Sequence, residues 1–174
     1  MSDTQPTYRI VVVCWGNICR SPMAEFVLRE AFEDAGLGDR VSISSAGTST
    51  EELGRPMDRR TIAVLERNGV RDSGFRDKRA IQFRSPGFED ADLVLAADHV
   101  HERILSERAR HEDDRAKIRM LRSFDPAAVA ADTLGMDDPW YGDDEDFDLT
   151  FAEIVAAAPG IVGHVRTRSE PPMT

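Results

Sequence analysis

The stretch Arg9-Ile-Val-Val-Val-Cys14, continuing as Trp15-Gly-Asn-Ile-Cys-Arg20 and Ser21-Pro-Met-Ala-Glu-Phe-Val-Leu28, decides the fold. Residues 9–13 form a β-branched run, apolar without polar alternation from Ile10 on, the pattern of a strand buried on both faces of a parallel sheet. Gly16 and Asn17 are turn formers, so the chain leaves that strand through a short loop. Ser21 suits a helix N-cap and Pro22 the first helical position. Ala24, Val27, Leu28, Ala31 and Ala35 then recur at helical spacing until Gly36 ends the run. The reading is strand, short loop, helix.

Outward from there the alternation repeats. Residues 41–45 read as a strand and 58–68 as a helix closed by Gly69. Residues 93–97 read as a third strand, followed by a helix over 98–110, and 118–121 as a fourth strand. The last helix is expected from Phe147, with Phe151, Ile154, Val155 and Ala158 on one face and Pro159-Gly160 interrupting it or opening its final turns. Strands alternating with helices mean an α/β domain with a parallel sheet, and ligands of such sheets bind beyond the carboxyl ends of the strands. One domain over residues 1–174 is expected, with flexible tails at 1–7 and 167–174.

Composition narrows the partners. A net charge of -10 argues against nucleic acid and against docking on an anionic membrane. There is no run of about 20 apolar residues to span a bilayer, and the polar start of the chain does not read as a signal peptide. Cys14 and Cys19 are the only cysteines, too few and too close together for a disulfide framework. His99, His101, His111 and His164 make no zinc-ligand set with them and read as surface histidines. A cytoplasmic protein is expected. The acids Asp143 to Asp146 read as a solvated run at a helix N-terminus.

The loop from Cys14 to Pro22 carries the chemistry. A short connection from a buried strand to a helix N-terminus turns backbone N–H groups inward, and with the helix dipole they cradle a phosphate-sized dianion. Thiols held in such positive potentials ionise well below their usual range, which suits Cys14 as a nucleophile. Arg20 closes the loop, and its planar fork can hold two phosphate oxygens at once. Nucleotide-binding loops carry Gly-Lys-Ser/Thr, which is missing here. A small buried hydrophobe at a strand end would explain Cys14 alone, but not Gly16, Asn17, Arg20 and Ser21-Pro22 in register with it.

Over nearly its whole length the chain resembles the low-molecular-weight protein tyrosine phosphatases. The resemblance rests on CWGNICRSPMAE from Cys14, on Ser44-Ser45-Ala46-Gly47-Thr48, on Asp92-Leu93-Val94-Leu95 and on Asp138-Pro139-Trp140-Tyr141-Gly142. It implies a Rossmann-like three-layer domain with a four-stranded parallel sheet in the order 2-1-3-4 and helices on both faces. It also implies hydrolysis of protein phosphotyrosine through a phosphocysteine on Cys14, with Arg20 as oxyanion clamp and Asp138 as general acid and base. Trp15, Gly16, Ile18, Cys19, Glu51, Trp140 and Tyr141 would complete the phosphate and substrate pocket, and Asn17, Ser21 and Ser45 would support the loop. Inorganic phosphate is the implied product, a monomer the implied state, and no metal or other cofactor is called for.

The departures from that family are informative. Lys78 stands near a family histidine of the loop-support network, and residues 71–75 resemble a small insertion. Glu51 replaces an aromatic or apolar rim residue, and Trp15 is bulkier than usual beside the nucleophile. Cys19 reads equally as a redox guard of Cys14 or as a core cysteine. Arsenate reduction on this scaffold would need cysteines after Cys19, and arginine phosphatases carry Thr where Ile18 stands. A phosphate-binding module without catalysis would lack the nucleophile, clamp or acid.

Overall fold

The computed structural model describes residues 8–169. Along the chain run β1 (Tyr8–Cys14), α1 (Arg20–Asp34), β2 (Val41–Gly47), α2 (Arg59–Arg67), β3 (Leu93–Ala96), α3 (His99–Arg108), α4 (Glu112–Ala116), β4 (Ile118–Met120), α5 (Pro126–Ala131) and α6 (Asp144–Ser169). The strands form one parallel sheet in the order β2-β1-β3-β4. β1 is therefore central, which is why its sequence is apolar without alternation.

Successive side chains of a strand face opposite sides, and β1 feeds two cores. Ile10 and Val12 join Phe26, Leu28, Ile154 and Ile161 from α1 and α6 on one face. Val13 joins Val94, Ala96, Leu105 and Met120 on the other, beneath α3. The same register brings Cys14 opposite Gly47 and Val13 opposite Ala96, so the carboxyl ends of three strands converge where the loop begins.

Several boundaries depart from the periodicity. α1 begins at Arg20, with Cys19 in the cap position and no side-chain cap; the Ser21 hydroxyl is used elsewhere. α4 and α5 are short helices over residues 112–116 and 126–131, below the length at which periodicity speaks. α6 starts at Asp144, because Asp143 Oδ1 accepts from the amides of Glu145 and Asp146 and acids suit the first turn. It passes Pro159 unbroken and is helical to Ser169; residues 1–7 and 170–174, the greater part of the expected tails, lie outside the described residues. Val155 is exposed, and the buried stripe runs instead through Ile154, Ala157, Ala158 and Ile161. α6 is long and apolar enough to cross a membrane, but that stripe is packed into the core against α1.

Candidate active site

The loop is built around a left-handed backbone at Asn17, with φ of 58°. Asparagine tolerates this conformation better than most residues, though at some cost. Three hydrogen bonds offset it: Asn17 Oδ1 accepts from the Ile81 amide at 3.0 Å, and Nδ2 donates at 2.9 Å to both Ser21 Oγ and Ser45 Oγ. The loop also lies close on β2. A Cβ at Gly47 would stand 2.6 Å from the Trp15 carbonyl oxygen, so only glycine fits there.

Proton bookkeeping gives this network a direction. Ser45 donates its hydroxyl proton to Glu25 Oε2, so it can only accept from Asn17. The Ile81 amide orients the Asn17 side chain, whose Nδ2 then faces Ser21 as a donor. Ser21, already accepting, has its own proton free for Cys14 Sγ, 2.9 Å away. A hydrogen bond donated to sulfur favours the thiolate.

Glu25 lies on the buried face of α1, where sequence patterning shows only one acid among apolar residues. Arg29 NH2 donates to its Oε1, and Lys78 Nζ stands 3.5 Å from its Oε2 while donating to the Ser45 carbonyl at 3.0 Å. Lys78 thus joins the loop-support network itself. The supposed insertion contributes too: Asp72 pairs with Arg29, and Phe75 packs edge-on against Phe26 at 5.8 Å.

Arg20 is 4% exposed, and a guanidinium so buried needs partners. Its NH1 donates to the Met136 carbonyl at 2.9 Å and lies 3.8 Å from Asp98; its NH2 meets Asp138 Oδ2 at 3.2 Å. Nε has no partner among the described residues, leaving a buried donor for an oxyanion. Asp138 Oδ1 accepts from the Trp140 amide, closing the turn Pro139–Tyr141. Arg60 braces that turn by donating to the carbonyls of Trp140 and Gly142 while its guanidinium lies 4.4 Å over Phe147. Arg60, itself in the first turn of α2, also donates two hydrogen bonds to Asp58, the residue that caps that helix; burial would raise the Asp58 carboxyl, but Arg60 holds it below its ordinary value.

Cys14, Trp15, Gly16, Ile18, Cys19, Arg20, Glu51, Asp138, Trp140 and Tyr141 line one cavity of about 150 Å³, together with Glu52. Asn17, Ser21 and Ser45 lie buried behind it. Trp15 Nε1 donates to Glu51 Oε2 at 3.1 Å, so the two departures form one wall as a pair. Burial above all, with the charge of Asp58, raises the Cys19 thiol above its ordinary range and keeps it protonated. Both cysteines are free.

Sequence reasoning missed Glu25, Gly47, Asp98 and the Met136 carbonyl as parts of this site. Gly47 alone had a signal, a glycine ending a strand. His101 was expected at the surface, but it is 2% exposed on α3, and its Nδ1 has no partner among the described residues. Burial, then the charge of Arg20, lowers its pKa to about 3, so the imidazole is neutral.

A thiol whose neighbour donates to it, a buried arginine with a spare donor and a carboxylate facing that arginine together define a site for phosphoryl chemistry. Comparison with known proteins agrees. Residues 9–170 match the family model described as low molecular weight phosphotyrosine protein phosphatase. A low molecular weight protein-tyrosine-phosphatase of Streptomyces coelicolor is 46% identical over 164 residues, covering 94% of this chain and 97% of the relative. Low molecular weight protein-tyrosine phosphatase A of Mycobacterium tuberculosis is 41% identical, covering 87% and 88%. The crystal structure of a protein tyrosine phosphatase from Entamoeba histolytica, with Hepes in its active site, superposes with a TM-score of 0.84 at 25% identity, covering 94% of this chain and 99% of that one. The chain belongs to the low molecular weight protein-tyrosine-phosphatase family, and it is a hydrolase.

Proposed function

We propose that this protein hydrolyses phosphotyrosine in proteins through a phosphocysteine on Cys14. The observation that carries the reading is the buried Arg20, whose Nε is unpartnered and whose NH2 faces Asp138, in the same cavity as the Cys14 sulfur. Phosphate oxygens take the Arg20 fork and the inward amides of the loop. The Cys14 thiolate attacks phosphorus in line, the S–P bond forms and the P–O bond to the phenol breaks. Asp138 gives its proton to the departing oxygen. In the second step Asp138 takes a proton from water as that water attacks phosphorus; the S–P bond breaks, and inorganic phosphate leaves. Ser21, donating to sulfur, stabilises the thiolate both as nucleophile and as leaving group. Arg20 holds the equatorial oxygens as charge spreads over them.

Trp15, Ile18, Trp140 and Tyr141 on the cavity wall suit a phenyl ring. Free, buried cysteines are compatible with a reducing cytoplasm. The reading is tested with Cys14→Ser. Turnover of p-nitrophenyl phosphate and of phosphotyrosine peptides should disappear, while vanadate still binds and phosphotyrosine proteins are retained by the variant. Comparable turnover in the serine variant would overturn the phosphocysteine.

A further inference from the structure

A second concavity adjoins the active-site wall. A groove of about 400 Å³ lies along residues 55–60 and shares Ile18, Glu52 and Trp140 with the catalytic cavity. Its floor carries Arg55, Arg59 and Arg60 against the carboxylates of Glu52 and Asp58.

These charges are not equally committed. Asp58 holds Arg60 through both oxygens, and Arg60 is further occupied by the carbonyls of Trp140 and Gly142 and by the Phe147 ring. Arg55 reaches Glu52 at 3.4 Å with its side chain 71% exposed, a loose pair. The Arg59 side chain is exposed and makes no hydrogen bond or ion pair among the described residues, its charge reaching Asp58 only through space. On a chain of net charge -10, this groove therefore carries one guanidinium in excess and another easily recruited. The wall on the Trp15 side carries Glu51 instead.

We propose that the groove is a subsite for an acidic side chain flanking the phosphotyrosine, taken by Arg59 with Arg55 beside it. The inference rests on the phosphotyrosine reading of the cavity. A peptide whose phosphotyrosine fills the cavity and whose backbone leaves past Trp140 enters the groove within a residue or two, since an extended chain advances about 3.3–3.6 Å per residue. A guanidinium fork matches a carboxylate through two parallel bonds. Glu51, which lines the cavity beside Trp15 but not the groove, repels acids that leave by that side, so the preference is one-sided.

The test uses phosphotyrosine peptides with Glu, Gln or Lys one and two residues away, on either flank, at low and high salt. Wild type is compared with Arg59→Gln, Arg59→Lys and the double variant Arg55→Gln/Arg59→Gln. On one flank only, wild type should favour Glu over Lys in kcat/KM by about three- to tenfold at low salt, with the ratio shrinking at high salt. The double variant should lose that ratio and Arg59→Lys should keep most of it. All variants should hydrolyse p-nitrophenyl phosphate as wild type does, which shows the cavity intact. A Glu-to-Lys ratio unchanged in the double variant, or no preference in wild type, overturns the subsite alone. Turnover of p-nitrophenyl phosphate but of none of the phosphotyrosine peptides overturns the underlying reading and the subsite with it.

Discussion

Replacing Lys78 with methionine keeps the length of the side chain and removes its charge. Lys78 Nζ donates to the Ser45 carbonyl at 3.0 Å and lies 3.5 Å from Glu25 Oε2, with its side chain only 13% exposed. A hydrogen bond from a charged donor is worth about 1.5–3 kcal/mol. Stripping a buried carboxylate of all its partners costs about 3–5 kcal/mol, but Arg29 stays with Glu25, so the lower range applies. A loss of about 2 kcal/mol lowers the Tm of a domain this size by about 4–8 °C. The catalytic effect follows from the network's direction. If Glu25 no longer holds Ser45 in place, Asn17 and Ser21 lose their enforced orientation and the bond to the Cys14 sulfur weakens. About 1.4 kcal/mol there is tenfold in kcat. Phosphate affinity should fall less, because Arg20 and the loop amides are untouched. Scanning calorimetry and steady-state kinetics on p-nitrophenyl phosphate, with phosphate inhibition, measure all three. Lys78→Arg should recover most of the loss, and Glu25→Gln/Lys78→Met should be little worse than Lys78→Met alone. An unchanged Tm and kcat in Lys78→Met would refute the claim that this lysine anchors the loop.

Arg20→Lys should lose far more than its retained charge suggests, about a hundredfold or more in kcat/KM, because lysine cannot satisfy Met136, Asp138 and an oxyanion together; activity within twofold of wild type would contradict this. Asp138→Asn should slow phenyl phosphate, whose leaving group needs a proton, by about 10²–10⁴ and p-nitrophenyl phosphate much less, and equal losses would move the acid to another residue. His101, held to about 3 in the folded state against an ordinary 6.5, binds its proton more readily when unfolded, so its contribution to stability is present at neutral pH and lost as pH falls. Between pH 7 and 5 that loss is about 2 kcal/mol, and His101→Gln should flatten the Tm-versus-pH curve by a corresponding amount. Glu51→Gln should raise kcat/KM on acidic phosphotyrosine peptides by about two- to fivefold at low salt, whereas an unchanged peptide ratio would make Glu51 a bystander.

The backbone plan was legible in the sequence because local rules govern it. An apolar run without alternation makes β1 central, and Gly16-Asn17 ahead of Ser21-Pro22 turns the chain into α1 within a few residues. Cys14 and Arg20 share one short loop, so the fold hardly has freedom to separate them. Asp138 was legible through its Asp-Pro-Trp-Tyr-Gly context and not through any physical pattern. What only the tertiary structure decided are the contacts between residues distant in sequence. Ser21 looks like a helix cap and instead serves the sulfur, because it accepts from Asn17, whose own orientation is set through Ser45 and Ile81, and its proton is left free for Cys14. Lys78 becomes an anchor because the Ser45 carbonyl and the Glu25 carboxylate meet beside it, and His101 a neutral ring because α3 buries it near the Arg20 charge. Periodicity reports which face of an element is apolar; it does not report which polar groups meet once those faces are packed. That depends on strand order and register, through which β2 brings Ser45 and Gly47 beside a loop that left β1.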